Sequence, residues 1–158
     1  MQGSARNSVL SSEFFFCCLF FKHNYSKLLN STLCFRYAGY PLLFTAINGA
    51  LKSDDRPLLH TGTELCYRTI LSSSLNAEEL RRQQGIDILA DVLERASSLI
   101  MPDTKPTDIV AQTASYVMLT FATAASFDQS RARIAELPSI VKNVCFCLTL
   151  QHLPKVLE

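Results

Sequence analysis

The 158-residue sequence contains no tryptophan, only five glycines and six prolines, and few charged residues. Charged residues make up 18% of the chain, against about 25% in an average globular protein. The net charge of +1 provides no broad basic surface and argues against nucleic acid as a partner. A transmembrane helix needs roughly 18 consecutive apolar residues, and no such run occurs. Glycine and proline are too scarce for a collagen-like or low-complexity chain.

Motifs that carry catalysis or bind cofactors are missing as well. No GxxxxGK[ST], GxGxxG, GxSxG or HExxH pattern occurs. Cys145 and Cys147 together with His152 resemble a metal-binding set, but side chains two positions apart on a helix point about 200° away from each other. We therefore expect no enzyme activity, no metal and no other cofactor.

The first 34 residues differ from the rest of the chain. Residues 14–21 read Phe-Phe-Phe-Cys-Cys-Leu-Phe-Phe, the most apolar stretch of the sequence. Asn24 and Asn30 match the glycosylation pattern and would follow a signal peptide, but no small-x-small cleavage site comes after the apolar run. We interpret residues 1–34 either as a targeting segment or as an unrelated leader, disordered or forming a single helix.

The cysteines do not have the spacing of a disulfide framework. Cys17 and Cys18 are adjacent, and Cys66 lies within an apolar helical pattern. Buried free cysteine behaves as a small hydrophobic residue. The pattern therefore favours reduced thiols and an intracellular compartment.

From residue 35 onward, apolar residues recur at helical spacing. Asn76 with Glu79 is typical of a capping box that begins a short helix, and Gly85 stands where a C′ glycine would end it. Residues 86–100 are apolar on two faces, which indicates a helix packed between neighbours. Thr107 is the expected cap of a long helix, and Pro138 is expected to begin another helix.

This helical pattern repeats along the chain. An offset of 52 aligns residues 75–92 with 127–144, and an offset of 46 places Gly85 on Gly39 and Leu89 on Leu43. Each unit contains a short, a middle and a long helix, as in armadillo and HEAT repeats. We predict an all-α, right-handed α-solenoid over residues 35–158, with units at about 36–73, 74–125 and, incomplete, 126–158. A generic helical bundle is the alternative.

The predicted repeat core follows from the apolar positions of these helices. It comprises Leu42, Leu43, Leu65, Leu80, Ile86, Leu89, Val92, Leu93, Val117, Phe121, Ile140 and Val144.

Arginines recur on the two short helices. Arg81 and Arg82 on the first helix are repeated in part as Arg131 and Arg133 on the next. Arginines along a solenoid could contact acidic peptide motifs or phosphoinositide headgroups at a membrane surface. Ordinary solvated positions near a helix end are the alternative.

Several motifs, in order, resemble one family. They are Arg-Tyr-Ala-Gly-Tyr-Pro-Leu-Leu at 36–43, Leu-Asn-Ala-Glu-Glu-Leu at 75–80, Gly-Ile-Asp-Ile-Leu at 85–89, Phe-Asp-Gln-Ser-Arg-Ala-Arg at 127–133 and Glu-Leu-Pro-Ser-Ile at 136–140. Residues 35–158 resemble the very large endosomal DnaJ proteins of the receptor-mediated-endocytosis-eight type, which have a plant counterpart known from gravitropism.

This resemblance implies a scaffold of armadillo-like repeats on the cytoplasmic side of the early endosome membrane, acting in receptor-mediated endocytosis, endosome organisation and protein sorting. The implied partners are sorting nexins, the WASH complex and an Hsp70 chaperone recruited by a J domain, with phosphoinositide contact at the membrane. The His-Pro-Asp signature of a J domain is absent. We therefore interpret the chain as a fragment without the J domain. The alternatives are a phosphoinositide-binding module or a helical-bundle protein with a secretory leader.

Overall fold

A computed structural model describes residues 38–149 of the chain. Over this range the protein is all-helical, which confirms the predicted fold class. The helices are α1 Tyr40–Ser53, α2 Arg56–Ser72, α3 Ser74–Arg82, α4 Gly85–Leu99, α5 Ile109–Ala124, α6 Asp128–Ala135 and α7 Pro138–Thr149. Among the helices of residues 38–149, none combines the length and apolarity needed to cross a membrane. The predicted leader, residues 1–34, lies outside the described residues.

Five of the seven described helices begin with a side-chain cap or with a proline in the first turn, and α4 and α6 are the exceptions. The carboxylate of Asp55 accepts a hydrogen bond from the Leu58 amide at 3.0 Å, and the carboxylate of Asp108 accepts one from the Val110 amide at 2.8 Å. Asp108, rather than the predicted Thr107, therefore caps α5. Pro138 begins α7 as predicted, because proline has no amide hydrogen to leave unsatisfied at this position.

The junction between α3 and α4 differs from the prediction. Ser73 caps α3, its hydroxyl accepting from the Leu75 amide at 3.3 Å. Asn76 lies inside the helix, completely buried, and its amide donates to the Thr69 carbonyl at 2.8 Å. The predicted capping box at Asn76 is therefore wrong, because this amide satisfies a buried carbonyl of the preceding helix instead.

Gly85 does not end α3 but begins α4. Gln84 supplies the left-handed conformation between the two helices, with φ at 56°. A Cβ atom on Gly85 would lie 2.3 Å from Cζ of Phe44 in α1 and 2.9 Å from the Leu80 carbonyl oxygen. The glycine is therefore required for the close approach of α1 and α4, and not for the turn.

Helices that occupy equivalent positions in the predicted units contact one another. The middle helices α1, α4 and α7 pack in that order, the long helices α2 and α5 share the most extensive contact, and the short helices α3 and α6 also meet. Each of α1 and α4 also packs against the long helix that follows it. Stacking of like helices on like is the way in which an α-solenoid is built.

The same positions are buried in successive middle helices. The buried residues of α1 are Tyr40, Leu43, Phe44, Ile47 and Ala50, and an offset of 46 places them on Ile86, Leu89, Ala90, Leu93 and Ala96, which are all buried in α4. This agreement confirms the predicted offset of 46. The boundaries proposed for the units remain predictions.

The offset predicted for the next unit is wrong by two residues. An offset of 52 places the buried Leu89 on Val141, which is 58% exposed. An offset of 54 instead places Ile86, Leu89 and Leu93 on the three buried residues of α7, which are Ile140, Asn143 and Cys147. Because apolar residues also occupy neighbouring positions of α7, hydrophobic matching alone did not distinguish the two offsets.

Most of the predicted repeat core is buried. Its buried members are Leu43, Leu65, Leu80, Ile86, Leu89, Val92, Leu93, Val117, Phe121 and Ile140. Val144 is half-buried and packs against this core. Leu42 is 64% exposed, so its assignment to the core is wrong. Its equivalent in α4, Ile88, is half-buried against the core, whereas no element among residues 38–149 covers Leu42 to the same extent.

Candidate functional site

An open groove lies where α6 packs beside α3 and the beginning of α4. It brings together two of the four predicted arginines, Arg81 of α3 and Arg133 of α6. The remaining lining residues are Gln84, Asp87, Gln129, Ala132 and Glu136. Arg82 and Arg131 do not line this groove, and their side chains are 58% and 61% exposed.

Arg81 and Arg82 share one carboxylate. Arg81 binds Glu78 through two hydrogen bonds, Nη2 to Oε1 at 2.8 Å and Nε to Oε2 at 3.1 Å. Arg82 Nε donates to Oε1 of the same glutamate at 3.1 Å. The Arg81 hydrogen bond lowers the pKa of Glu78 and raises that of Arg81. The three side chains thus form one partly exposed cluster on α3.

Arg133 joins the second and third units. Its guanidinium donates to the carboxylate of Asp87 in α4, which lies 46 residues earlier in the chain, and its Nη1 donates to Oε2 of Glu136 at 2.8 Å. The hydrogen bond with Asp87 is the main cause of the raised pKa of Arg133. Arg131, by contrast, binds within its own helix to Asp128.

The groove carries no net charge on its lining. Arg81 and Arg133 are balanced by Asp87 and Glu136, and Arg81 is additionally paired with Glu78 outside the lining. An anionic ligand would therefore have to displace carboxylates from arginines that they already bind. The groove therefore suits a partner surface that also carries hydrogen-bond donors for the carboxylates of Asp87 and Glu136 and polar groups for the amides of Gln84 and Gln129.

Sequence reasoning missed most of this groove. Asp87 lies in the first turn of α4, and its contact with Arg133 depends on how α6 packs beside α4. Gln84 lies between α3 and α4, and Gln129 and Glu136 lie near the two ends of α6. Gln129 and Glu136 belong to the family motifs, but no binding motif marks any of the three residues. Only the stacking of α3 beside α6 places them together, so no local spacing could have identified them.

In the part of the chain that the structure describes, the cysteine and histidine side chains form no metal-binding cluster. Cys145 is exposed and Cys147 is buried, so these thiols diverge as the helical spacing predicted, while His152 lies outside the described residues. Within residues 38–149, no three His, Cys, Asp or Glu side chains cluster as metal ligands would. Burial raises the pKa of the Cys66 thiol, which reduces its nucleophilicity.

His60 lies between α2 and α5. Its ring packs edge-on against Tyr116, with the ring centroids 5.6 Å apart. Its Nε2 atom is buried and has no hydrogen-bond partner among the residues that the structure describes. The contact with Tyr116 gives the ring a packing role between α2 and α5.

One known protein is similar in sequence to most of this chain. No family model matches the chain, and no solved structure matches it. The chain is 35% identical over 130 residues to the DnaJ homolog subfamily C GRV2 of Arabidopsis thaliana, a match that covers 78% of this chain. The match spans only 5% of the length of that relative. The chain is therefore a relative of the GRV2-type DnaJ subfamily C proteins, corresponding to one short stretch of such a protein.

Proposed function

We propose that this chain is a non-catalytic scaffold segment of an endosomal DnaJ co-chaperone that acts in receptor-mediated endocytosis, endosome organisation and endosomal protein sorting. The observation that carries the proposal is the stack of α1, α4 and α7 with their recurring buried positions. Stacked helical repeats provide extended surfaces on which other proteins assemble. The relationship to a DnaJ homologue supports the family part of the proposal.

The proposed partners are sorting nexins and the WASH complex, on the cytoplasmic face of the early endosome membrane. Hsp70 is a partner of the family through the J domain. The His-Pro-Asp signature does not occur in these 158 residues. This segment is therefore not expected to stimulate an Hsp70 ATPase by itself.

A binding experiment with the full chain tests the scaffold proposal. The immobilised chain should recover sorting nexins or WASH subunits from a cell extract at least about fivefold above a Leu89→Asp control, whose fold is disrupted by a buried charge. Equal recovery by both proteins, or no recovery of either partner, would contradict it.

Phosphoinositide binding is the second candidate, because Arg81 and Arg133 line one groove. A headgroup would bind there by displacing the carboxylates that already contact these two arginines. Flotation with phosphoinositide-containing liposomes separates it from the scaffold. The variant Arg81→Gln with Arg133→Gln should lose flotation, whereas Arg82→Gln with Arg131→Gln, outside the groove, should retain it. Absence of flotation by the unaltered chain would reject the lipid function and leave the scaffold proposal intact.

A secretory helical-bundle protein is the remaining alternative, and it rests on Asn24 and Asn30, which lie outside the described residues. Glycosylation at either site would lower gel mobility, and glycosidase treatment would restore it. We expect unchanged mobility after treatment, since the proposed location is cytoplasmic.

A further inference from the structure

The last described helix presents an apolar stripe to its surroundings. Val141 and Leu148 of α7 are 58% and 56% exposed, and Cys145 is also exposed. These residues are spaced as i, i+4 and i+7, so they lie along one side of the helix. We call Val141, Cys145 and Leu148 the α7 stripe. No element within residues 38–149 buries it.

The repeat register shows that this stripe is unusual. With the offset of 54, its three residues correspond to Asp87, Asp91 and Glu94 of α4, where all three side chains are acidic and both Asp91 and Glu94 are exposed. Asp91 and Glu94 therefore face water in the preceding unit, whereas Asp87 on the same side binds Arg133 of α6. The α7 stripe is thus an apolar surface at an outward position, and not only the end of the stack.

Phe146 is a separate case, although it is 41% exposed. At the same offset it corresponds to Val92, which is buried in the second unit and lines one cleft with residues of the long helix α5. In the second unit, α5 covers Val92, and no helix among residues 38–149 covers Phe146 in the same way. Phe146 is therefore not counted in the stripe.

The chain contains a segment whose chemistry matches this surface. Residues 14–21 comprise five phenylalanines, a leucine and two cysteines, with no charged or polar residue. Eight consecutive apolar residues gain free energy from any apolar surface that removes them from water. Lys142 is the only charged residue of α7, so contact with this segment would bury no unpaired charge from the stripe itself.

The intervening chain is long enough for the contact. Residue 21 and residue 40, where α1 begins, are separated by 19 positions in the sequence. Such a chain spans up to about 60 Å at roughly 3.3 Å per residue. Because α4 lies between α1 and α7, and packed helices are about 8–10 Å apart, the distance to cover is on the order of 20 Å.

We propose that residues 14–21 bind the α7 stripe of the same chain. The contact goes beyond the proposed function, because it makes the leader an intramolecular cover of an apolar surface on the scaffold. A partner that needs this side of α7 must then displace the leader before it binds.

Disulfide trapping tests the contact directly, because Cys145 lies in the middle of the stripe and Cys17 and Cys18 lie in the middle of the segment. The full chain, carrying Cys34→Ser to remove one competing thiol, is treated with copper phenanthroline in air. Disulfide formation requires Cα atoms within about 7 Å of each other. Peptide mass spectrometry should find Cys145 linked to Cys17 or Cys18 within a monomer.

Three outcomes would overturn the proposal. A Cys145–Cys145 disulfide in a covalent dimer would assign the stripe to a second copy of the chain. Absence of any linkage to Cys145, or purification of a chain from which the leader has been cleaved, would exclude the leader as the occupant.

Matched variants connect the linkage to the two apolar surfaces. Phe16→Asp with Phe20→Asp, or Val141→Asp, should reduce the linkage at least about fivefold. Leu71→Asp, at an exposed position on α2, should leave it unchanged. Cys66 and Cys147 are buried, so their resistance to maleimide reports that each variant remains folded. Equally slow maleimide labelling of Cys145 with and without the leader substitutions would show that another part of the chain covers the stripe.

Discussion

At the scale of single residues, one buried polar cluster joins the first three helices. The hydroxyl of Thr69 in α2 bonds to the carbonyls of Leu65 and Cys66, both at 2.9 Å. Since this hydroxyl has a single proton, Tyr40 of α1 donates to Thr69 Oγ1 across 2.8 Å. Asn76 of α3 donates to the Thr69 carbonyl. The cluster satisfies polar groups that would each cost about 1–3 kcal/mol if they were left unpaired.

The effect of a buried charge provides the first prediction. Leu89 is completely buried in α4, whereas Leu42 of α1 is 64% exposed. Leu89→Asp should lower the free energy of unfolding by about 4 kcal/mol or more, because the carboxylate would have no partner in the core. Leu42→Asp should change it by less than about 0.5 kcal/mol. Urea denaturation followed by circular dichroism measures both, and equal stabilities would refute the assignment of Leu89 to the core.

A pair of glycine substitutions tests the packing of α1 against α4. Gly85→Ala would force a methyl group against Phe44 and the Leu80 carbonyl, and should destabilise the protein by about 1–3 kcal/mol. Gly49→Ala meets no atom within 4 Å and lies inside α1. It should stabilise the protein by roughly 0.5–1 kcal/mol through helix propensity. Thermal melts compare the two variants, and a stabilised Gly85→Ala would contradict the close approach.

At the scale of elements, ion pairs connect helices of neighbouring units. Asp54 follows α1 in a left-handed conformation and binds Arg95 of α4 at 3.1 Å. Asp87 of α4 binds Arg133 of α6 in the same manner. The first pair is exposed and the second is partly exposed, so the contribution of each to stability is small and weakened by salt. Their main effect is to orient one unit relative to the next.

The Asp54–Arg95 pair predicts that the stability of the protein depends on pH in the acid range. Hydrogen bonding to Arg95 lowers the pKa of Asp54 from its ordinary value of 3.8. The folded state therefore holds this proton less tightly than the unfolded state, so the stabilisation is present above pH 3.8 and is lost as the pH falls through the lowered value. Melting temperatures measured against pH should decline less steeply for Asp54→Asn than for the unaltered chain on the acid side. Parallel curves would show that the pair does not contribute.

The pKa of Asp91 is shifted in the opposite direction to that of Asp54. Partial desolvation of its carboxylate, with added repulsion from Glu94 and Asp87, raises the pKa of Asp91. The folded state therefore binds this proton more tightly than the unfolded state. The loss of stability that the Asp91 charge causes at neutral pH decreases as the pH falls. This is why the acid test compares Asp54→Asn with the unaltered chain instead of relying on one curve.

At the scale of the whole molecule, stability should be distributed along the stack. Terminal helices of a repeat array can open without the rest, since each unit contacts mainly its neighbours. Ile140→Asp places a charge at a buried position of α7, and should remove hydrogen-exchange protection from α6 and α7 while α1 and α2 remain protected. Loss of protection throughout residues 38–149 would instead indicate a single cooperative bundle.

Local sequence accounted for the helices and most of the core. Prolines and apolar spacing placed α5 and α7, although the cap predicted for α5, Thr107, was wrong. The offset of 46 between α1 and α4 was readable because the same five positions are buried in each helix. The predictions failed where two local explanations were equally good. Asn76 can cap a helix or bond inside one, and Gly85 can form a turn or permit a close contact.

The sequence by itself determined the all-helical class, the repeat of short, middle and long helices, and a family resemblance, because helical periodicity and short motifs are local properties. Only the tertiary structure decided that Leu42 faces outward, that α7 aligns with α4 at an offset of 54, and that Arg81 and Arg133 share one groove. These outcomes depend on which helix lies beside which, and contacts between residues some 50 positions apart leave no trace in local spacing.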